Sequence, residues 1–259
     1  MAELIIRREG KVGWLIFSNL TKRNALTYDI WRRLPEAVAQ LERDSAVRVI
    51  ALRGDGGDFS SGADVQEFEH ARDSLGAVSS YNRVVDEGAE SLLGASKPTL
   101  ARIRGTCFGG GVAIALHCDL RICADDAVFA MPAARLGLGI SYANVIRLAH
   151  VVGPGYAAEI LFSGRRVNAG DAARMALVNQ AVPSADLDAV FAQWCADIAG
   201  NAPLSIAAMK RALVEGYKEP DKRDLHDVHA LVDACYSSDD YREGRTAFMQ
   251  KRKPEFRGR

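Results

Sequence analysis

Apolar and polar positions change period along the chain, and each change marks an element. Residues 4–8 and 12–17 are two short apolar-rich runs around Glu9-Gly10-Lys11, which predicts an opening β-hairpin. Beyond it Ile30, Leu34, Val38 and Leu41 recur at helical spacing, so a helix is expected from a Thr27 cap to about Arg43. Pro35 lies inside that stripe and predicts a kink or a later helix start. Residues 47–53 (VRVIALR) form a β-branched run that ends in Gly54-Asp55-Gly56-Gly57, a strand delivering the chain to a loop.

The same grammar recurs. Residues 98–103 predict a strand that leads into Gly105 and then Gly109-Gly110-Gly111, with an apolar helix over 112–117 and further strands over 120–124 and 128–131. Strands alternating with helices imply stacked β-α units around a buried sheet. From Pro154 onward the pattern is helical, with segments at 157–162, 169–175, 186–199 and 203–216, and a charged helical stretch over about 221–252. The chain therefore divides into an α/β core over 1–200 and a C-terminal helical region over 201–259. Apolar positions in that region, such as Leu231, Val232, Ala234 and Phe248, need a surface to cover them, and contact with further copies of the chain supplies one.

Composition narrows the function. Among 259 residues, 33 basic and 33 acidic side chains cancel, so the cationic excess of a phosphate-neutralising nucleic-acid binder is absent. At 48% hydrophobic and 25% charged the chain has globular composition. Charges at Glu3, Arg7, Arg8, Glu9 and Lys11 interrupt any secretory h-region, and no apolar run approaches the roughly 20 residues that span a bilayer. The five cysteines are scattered without a CxxC pair, which fits reduced thiols in the cytoplasm better than a disulfide frame or a metal site.

Two loops carry the candidate chemistry through their backbone. Asp58-Phe59-Ser60-Ser61-Gly62-Ala63-Asp64 follows the VRVIALR strand and leads into a helix near Asp64; Gly105-Thr106-Cys107-Phe108-Gly109-Gly110-Gly111 joins a strand to a helix. Small residues at a helix start expose free N–H groups to a ligand, and two such donors can grip one developing oxyanion. Tight strand-to-helix turns explain such glycines equally well. Neither loop carries the Gly-Lys-Ser/Thr of a P-loop or the GxGxxG of a dinucleotide site.

Taken in order, Lys22-Arg23-Asn24-Ala25-Leu26, Phe59-Ser60-Ser61-Gly62-Ala63-Asp64-Val65, GTCFGGGVAIALHCD at 105–119, Leu136-Gly137-Leu138-Gly139, Asp240-Tyr241-Arg242-Glu243-Gly244 and AFMQKRKP at 247–254 resemble the enoyl-CoA hydratase/isomerase family, the crotonase superfamily, over nearly the whole chain. The resemblance implies the ClpP/crotonase fold of repeated ββα units, a C-terminal region that builds trimers or hexamers, and an acyl-CoA thioester as substrate. It implies no cofactor beyond that coenzyme A, no metal, and no nucleic-acid or membrane partner. The oxyanion-hole donors carry over to Ala63 and Gly110. Coenzyme A contacts carry over to Arg23, Ala25, Ser61, Asp64 and Val65, and to Phe248 and Lys251 from a tail that can belong to a neighbouring subunit.

The two glutamates that typical hydratases of this family use fall at Ala113 and Ala133, and an alanine cannot transfer a proton. Replacement groups are sought in the segments that face the acyl chain. Ser141, Tyr142 and Asn144 lie in one of them; Tyr142 either orients a water or carboxylate or fills space left by the glutamates. Glu67 and His70 follow the first loop, either near the acyl pocket or on a solvated helix face. Arg135 and Arg147 bind a carboxylated acyl chain or form structural ion pairs, and His117 and Asp119 fit core or capping roles. The tail motifs also resemble methylmalonyl-CoA decarboxylase, whose histidine in the first oxyanion motif is Ala63 here. The expected activity is an acyl-CoA-processing lyase or isomerase acting through a thioester enolate, either hydratase-like or decarboxylating. The alternative is an acyl-CoA-binding protein that has lost catalysis.

Overall fold

The computed structural model describes residues 2–67 and 75–259. The opening hairpin forms as the apolar pattern predicts: β1 (Glu3–Glu9) and β2 (Val12–Ser18) pair antiparallel from Glu3 opposite Ser18 to Glu9 opposite Val12. Helix α1 (Tyr28–Arg43) follows, its Thr27 side chain accepting from Ile30 N, and it buries Ile30, Trp31, Leu34, Ala37, Val38 and Leu41.

Pro35 does not start the helix late; α1 runs through it. A proline has no N–H for the carbonyl four residues earlier, here Trp31 O. That carbonyl instead faces Gly88 on helix α2 (Leu75–Gly94), where a Cβ would lie 2.9 Å from Trp31 O and 3.2 Å from Trp31 Cε3. The two helices meet at a point where only glycine fits.

The remaining strands are β3 (Val49–Gly54), β4 (Thr99–Ile103), β5 (Thr106–Phe108), β6 (Leu120–Ala124), β7 (Val128–Ala130), β8 (Val167–Asn168) and β9 (Gln180–Val182). One sheet runs β1-β2-β3-β4-β6-β9, parallel from β2 onward, and a second runs β5-β7-β8. Strands β3, β4 and β6 are buried almost throughout, as parallel strands covered on both faces must be. One face packs Leu15, Phe17, Ile50 and Leu52 against α1; the other packs Val49, Ala51, Leu100 and Ile122 against Phe191 from the helical part of the chain after β9. Each such side chain contributes roughly 1.5–3 kcal/mol by leaving water.

Helix α3 (Gly110–Leu116) precedes β6. Helix α4 (Tyr142–Ser163) begins a dozen residues before the sequence pattern suggests, because the Ser141 side chain caps it by accepting from Asn144 N. At 22 residues, with an 18-residue window of mean hydropathy 1.2, α4 is long and apolar enough by composition alone to cross a bilayer, although polar residues such as Arg147, His150 and Glu159 interrupt it. It is broken at Gly153 (φ 79°, ψ 158°), however, and packs Leu148, Val152, Ala157 and Ile160 into the core.

Helices α5 (Ala169–Arg174), α6 (Leu187–Ala199), α7 (Pro203–Gly216), α8 (Leu225–Ser237) and α9 (Asp239–Gln250) complete the chain. The charged stretch read as one helix is thus two, separated at Ser238, whose Oγ accepts from Tyr241 N to start α9. Lys210 ties α7 to the body: its buried ammonium donates to Asp119 Oδ2 (2.8 Å), Leu92 O and Lys97 O. Met209, Leu213, Tyr236, Phe248 and Met249 on these helices stay exposed.

Candidate functional site

Ala63 and Gly110 line one cavity because of how two loops are stitched together. Ala63 forms an isolated parallel bridge with Leu26, whose hydrogen bonds run through the flanking residues: Leu26 N donates to Gly62 O and Asp64 N donates to Leu26 O. Ala63's own N–H is left off that ladder. The partner loop leaves β5 with Gly109 N donating to Ala130 O, and Gly109 then adopts φ 46°, ψ −111°, outside the regions a side chain favours. This turn makes Gly110 the first residue of α3, where an N–H has no acceptor within the helix.

The loops touch backbone to backbone. Gly62 has φ 100°, and a Cβ there would lie 2.8 Å from Phe108 O; a Cβ on Gly110 would lie 3.4 Å from Ala63 N. Among the described residues neither Ala63 N nor Gly110 N has an acceptor. Adjacent, unpaired donors at a helix start favour an oxygen that gains negative charge.

Both line a cavity of about 220 Å³, walled chiefly by apolar groups such as Trp31, Val85, Phe108, Ala113, Ala133 and Leu138. Among the described residues that line it, Asp86 of α2 is the one charged side chain. Its Oδ1 accepts from Ser141 Oγ (3.0 Å) and from Asn144 Nδ2 (2.9 Å), while Oδ2 accepts no hydrogen bond among the described residues. Ser141 Oγ in turn accepts from Asn144 Nδ2 (2.9 Å), which locks the pair. Burial raises the Asp86 pKa above the ordinary carboxyl value, and the Ser141 and Asn144 hydrogen bonds oppose that rise. Trp31 Nε1 and Asn144 Oδ1 are buried without partners among the described residues, a donor and an acceptor on cavity-lining side chains.

The residues singled out from sequence divide cleanly. Ala63, Gly110, Ser61, Ala113, Ala133 and Ser141 all line the cavity. Tyr142 does not: as the first residue of α4 it turns outward and is 77% exposed, while Ser141 and Asn144 on either side turn in. Glu67 does not either. Its Oε2 accepts from Tyr28 N (2.7 Å) and so satisfies an orphan N–H at the positive end of α1. The expected helix near Asp64 is a 3₁₀ turn at Val65–Glu67, and His70 lies outside the described residues.

Asp64 is buried with its carboxylate committed to Lys22 Nζ (2.5 Å) and Gln66 N, so it braces the loop instead of presenting a free side chain. Ser61 continues the brace, its N donating to Arg23 O and its Oγ to Lys22 O. Arg23 is exposed in a left-handed turn, and Ala25 is buried beneath it. Phe248 and Lys251 do not line the cavity of their own chain; both are exposed at the end of α9.

Arg135 donates to Ser163 O, and Arg147 donates to Leu116 O and stacks over Tyr217, which makes both structural. His117 is buried with Nδ1 against Ala113 O, and desolvation lowers its pKa to about 4. Asp119 accepts from Thr99 N and Oγ1 and from Lys210. The residue that sequence reasoning missed is Asp86. Its only signal is that Tyr81, Asn82, Val85 and Asp86 share one helical face, since the acidic run beyond it resembles a solvated surface.

A family model described as enoyl-CoA hydratase/isomerase matches residues 7–259. The chain is 30% identical over 253 residues to the short-chain-enoyl-CoA hydratase of Clostridium acetobutylicum, covering 97% of this chain and 96% of that one. It is 30% identical over 260 residues to the 2,3-dehydroadipyl-CoA hydratase of Escherichia coli, covering 100% of both. Among solved structures, an enoyl-CoA hydratase/carnithine racemase from Magnetospirillum magneticum superposes with a TM-score of 0.92 at 32% identity, over 100% of this chain and 97% of that one.

Proposed function

The chain belongs to the enoyl-CoA hydratase/isomerase family and has the crotonase fold, and from that premise we propose that it acts on an acyl-CoA thioester whose enolate oxygen is held by Ala63 N–H and Gly110 N–H. The observation that carries the reading is the pair of adjacent unpaired donors lining a largely apolar cavity. Charge that develops on a thioester oxygen is stabilised most where fixed donors replace water, and the apolar wall keeps that site dry.

Coenzyme A is assigned to the Lys22–Leu26 segment through Arg23 and Ala25, and to Ser61, Asp64 and Val65 on the facing loop. Phe248 and Lys251 reach it from a neighbouring copy in a homotrimer or hexamer, a role that their exposure at the end of α9 supports. With the chain's charge balanced, these local groups and not a long-range field attract the anionic coenzyme. Four buried thiols and Cys235, all free, suit a cytoplasmic setting.

Ala113 and Ala133 both line the cavity, which favours chemistry without a glutamate pair at those two positions: either a single-acid step, a decarboxylation in which the departing carboxylate generates the enolate, or binding alone. The test is isotope-edited infrared spectroscopy of a [1-¹³C]acyl-CoA, with turnover followed on crotonyl-CoA, a 3-enoyl-CoA and methylmalonyl-CoA. A lowered carbonyl frequency on binding is expected. An unshifted carbonyl in a saturated complex overturns the reading. A shifted carbonyl without turnover or α-hydrogen exchange on any thioester selects the binding-protein alternative.

A further inference from the structure

We propose that Asp86, entering the cavity from α2, is the acid/base residue of this site, and that Ser141 and Asn144 are its positioning residues. The inference rests on the enolate reading above and adds to it the group that moves the proton. Three observations carry it. Asp86 is the one charged side chain among the described residues that line the cavity holding the two oxyanion donors. Its Oδ1 is pinned by two donors while Oδ2 is left open. The cavity wall around it is largely apolar, with Ala113 and Ala133 among its lining residues and no second carboxyl among the described ones.

The two hydrogen bonds divide the work within one carboxyl group. Ser141 Oγ and Asn144 Nδ2 fix the plane and rotation of the group through Oδ1, and Oδ2 then forms and breaks the bond to hydrogen. In the forward step Oδ2 takes a proton from the thioester α-carbon. The C–H electron pair becomes the enolate C=C bond, and the carbonyl π pair moves onto the oxygen between Ala63 N and Gly110 N. The reverse step returns the proton from Oδ2 to carbon, so no oxidant, metal or second base is needed. Burial that raises the resting pKa brings a carboxyl closer to the range where general acid/base transfer is efficient.

Charge around Asp86 comes from its own helix. Desolvation first, and then the charges of Asp86 and Glu87, raise the pKa of Glu90 one turn on, and no other charged side chain among the described residues lines the cavity from α1, the two loops, the 3₁₀ turn Pro132–Leu136 or α4. Ser141 and Asn144 are therefore the local groups that favour the carboxylate. Losing one of them raises the pKa at which the site works.

The experiment follows α-hydrogen exchange of butyryl-CoA in D₂O by mass spectrometry, beside the ¹³C carbonyl shift, for the wild type, Asp86→Asn, Asp86→Glu and Ser141→Ala. The wild type is expected to exchange. Asp86→Asn keeps the carbonyl shift and loses about 100-fold or more of the exchange rate. Asp86→Glu retains part of it, and Ser141→Ala moves the pH midpoint of exchange upward, which a purely structural serine would not do. Unchanged exchange in Asp86→Asn with the carbonyl shift intact overturns the role of Asp86 and leaves the enolate reading standing. A carbonyl shift without exchange in the wild type also overturns it. Absence of the carbonyl shift in the wild type overturns the enolate reading and this inference together.

Discussion

Replacing Gly110 by proline removes the N–H proposed above as one oxyanion donor. Position 110 opens α3 and lies outside the left-handed region, and proline is tolerated at a first helical residue, where its missing N–H disrupts no helical bond. The substitution adds atoms as well. A Cβ there lies 3.2 Å from Trp31 Cζ2 and 3.4 Å from Ala63 N, tight but not overlapping, which costs on the order of 1 kcal/mol. Gly110→Ala adds the same Cβ and retains the N–H, whereas proline also sets Cδ where the amide hydrogen was, so the ratio of the two variants reads the loss of the donor together with blockage of the oxygen's place beside it.

At about 1.4 kcal/mol per decade, the crowding term lowers the rate roughly fivefold in both variants. A donor aimed at an oxyanion contributes about 2.7–4 kcal/mol, so proline should fall a further 10²–10³-fold below alanine. The assay is α-hydrogen exchange of butyryl-CoA, with thermal unfolding as the check that both variants are folded. Equal exchange rates in folded Gly110→Pro and Gly110→Ala would refute the assignment of this N–H.

Three further outcomes are expected. Gly88→Ala gains helix propensity but drives a Cβ to 2.9 Å from Trp31 O, and the collision outweighs the gain by about 1 kcal/mol, lowering Tm by roughly 2–4 °C; a raised Tm would show that α2 can shift freely. His117 is held below its unfolded pKa, so as pH falls from 6.5 toward 4 the unfolded chain takes up a proton that the native state refuses. Its stability contribution, intact above 6.5, is reduced by about 2 kcal/mol at pH 5. Urea unfolding of the wild type at pH 7 and 5 should show that loss, and His117→Asn should lack it; equal losses would sink the assignment. Finally, Glu67→Gln and Tyr142→Phe should each leave exchange within about twofold, since one side chain caps α1 and the other faces outward; a tenfold loss in either would bring that residue back into the site.

The two loops that line the cavity through their backbone were the most legible from sequence. Ala63 and Gly110 stand in glycine-bearing loops between recognisable strands and helices, and the family resemblance is what pairs those two residues. Short elements were less visible: β5 is three residues long and exists because Cys107 bridges Ser60 and pairs with Phe129, contacts set by distant segments. Tyr142 illustrates a different limit. The choice between Tyr142 and its neighbours turns on where α4 starts, and a cap at Ser141 rotates the tyrosine out by one position. Asp86 was hidden because a carboxylate among Glu87 and Glu90 has the composition of a wet helix face. Only the arrival of Ser141 and Asn144 from a segment 55 and 58 residues away gives one member of that run a different environment.

The bridge between Leu26 and Ala63 has a consequence for how such a site changes over generations. The anion socket proposed above is made of main chain, so codon changes at position 63 alter the side chain but leave the N–H, and proline is the one residue that deletes it. The proton-handling group proposed for this site is a side chain, and one codon change can erase it or plant it on another wall. A scaffold built this way inherits its oxyanion grip and improvises its acid and base, so new reactions on the same thioester intermediate are reached by few mutations and without rebuilding the fold.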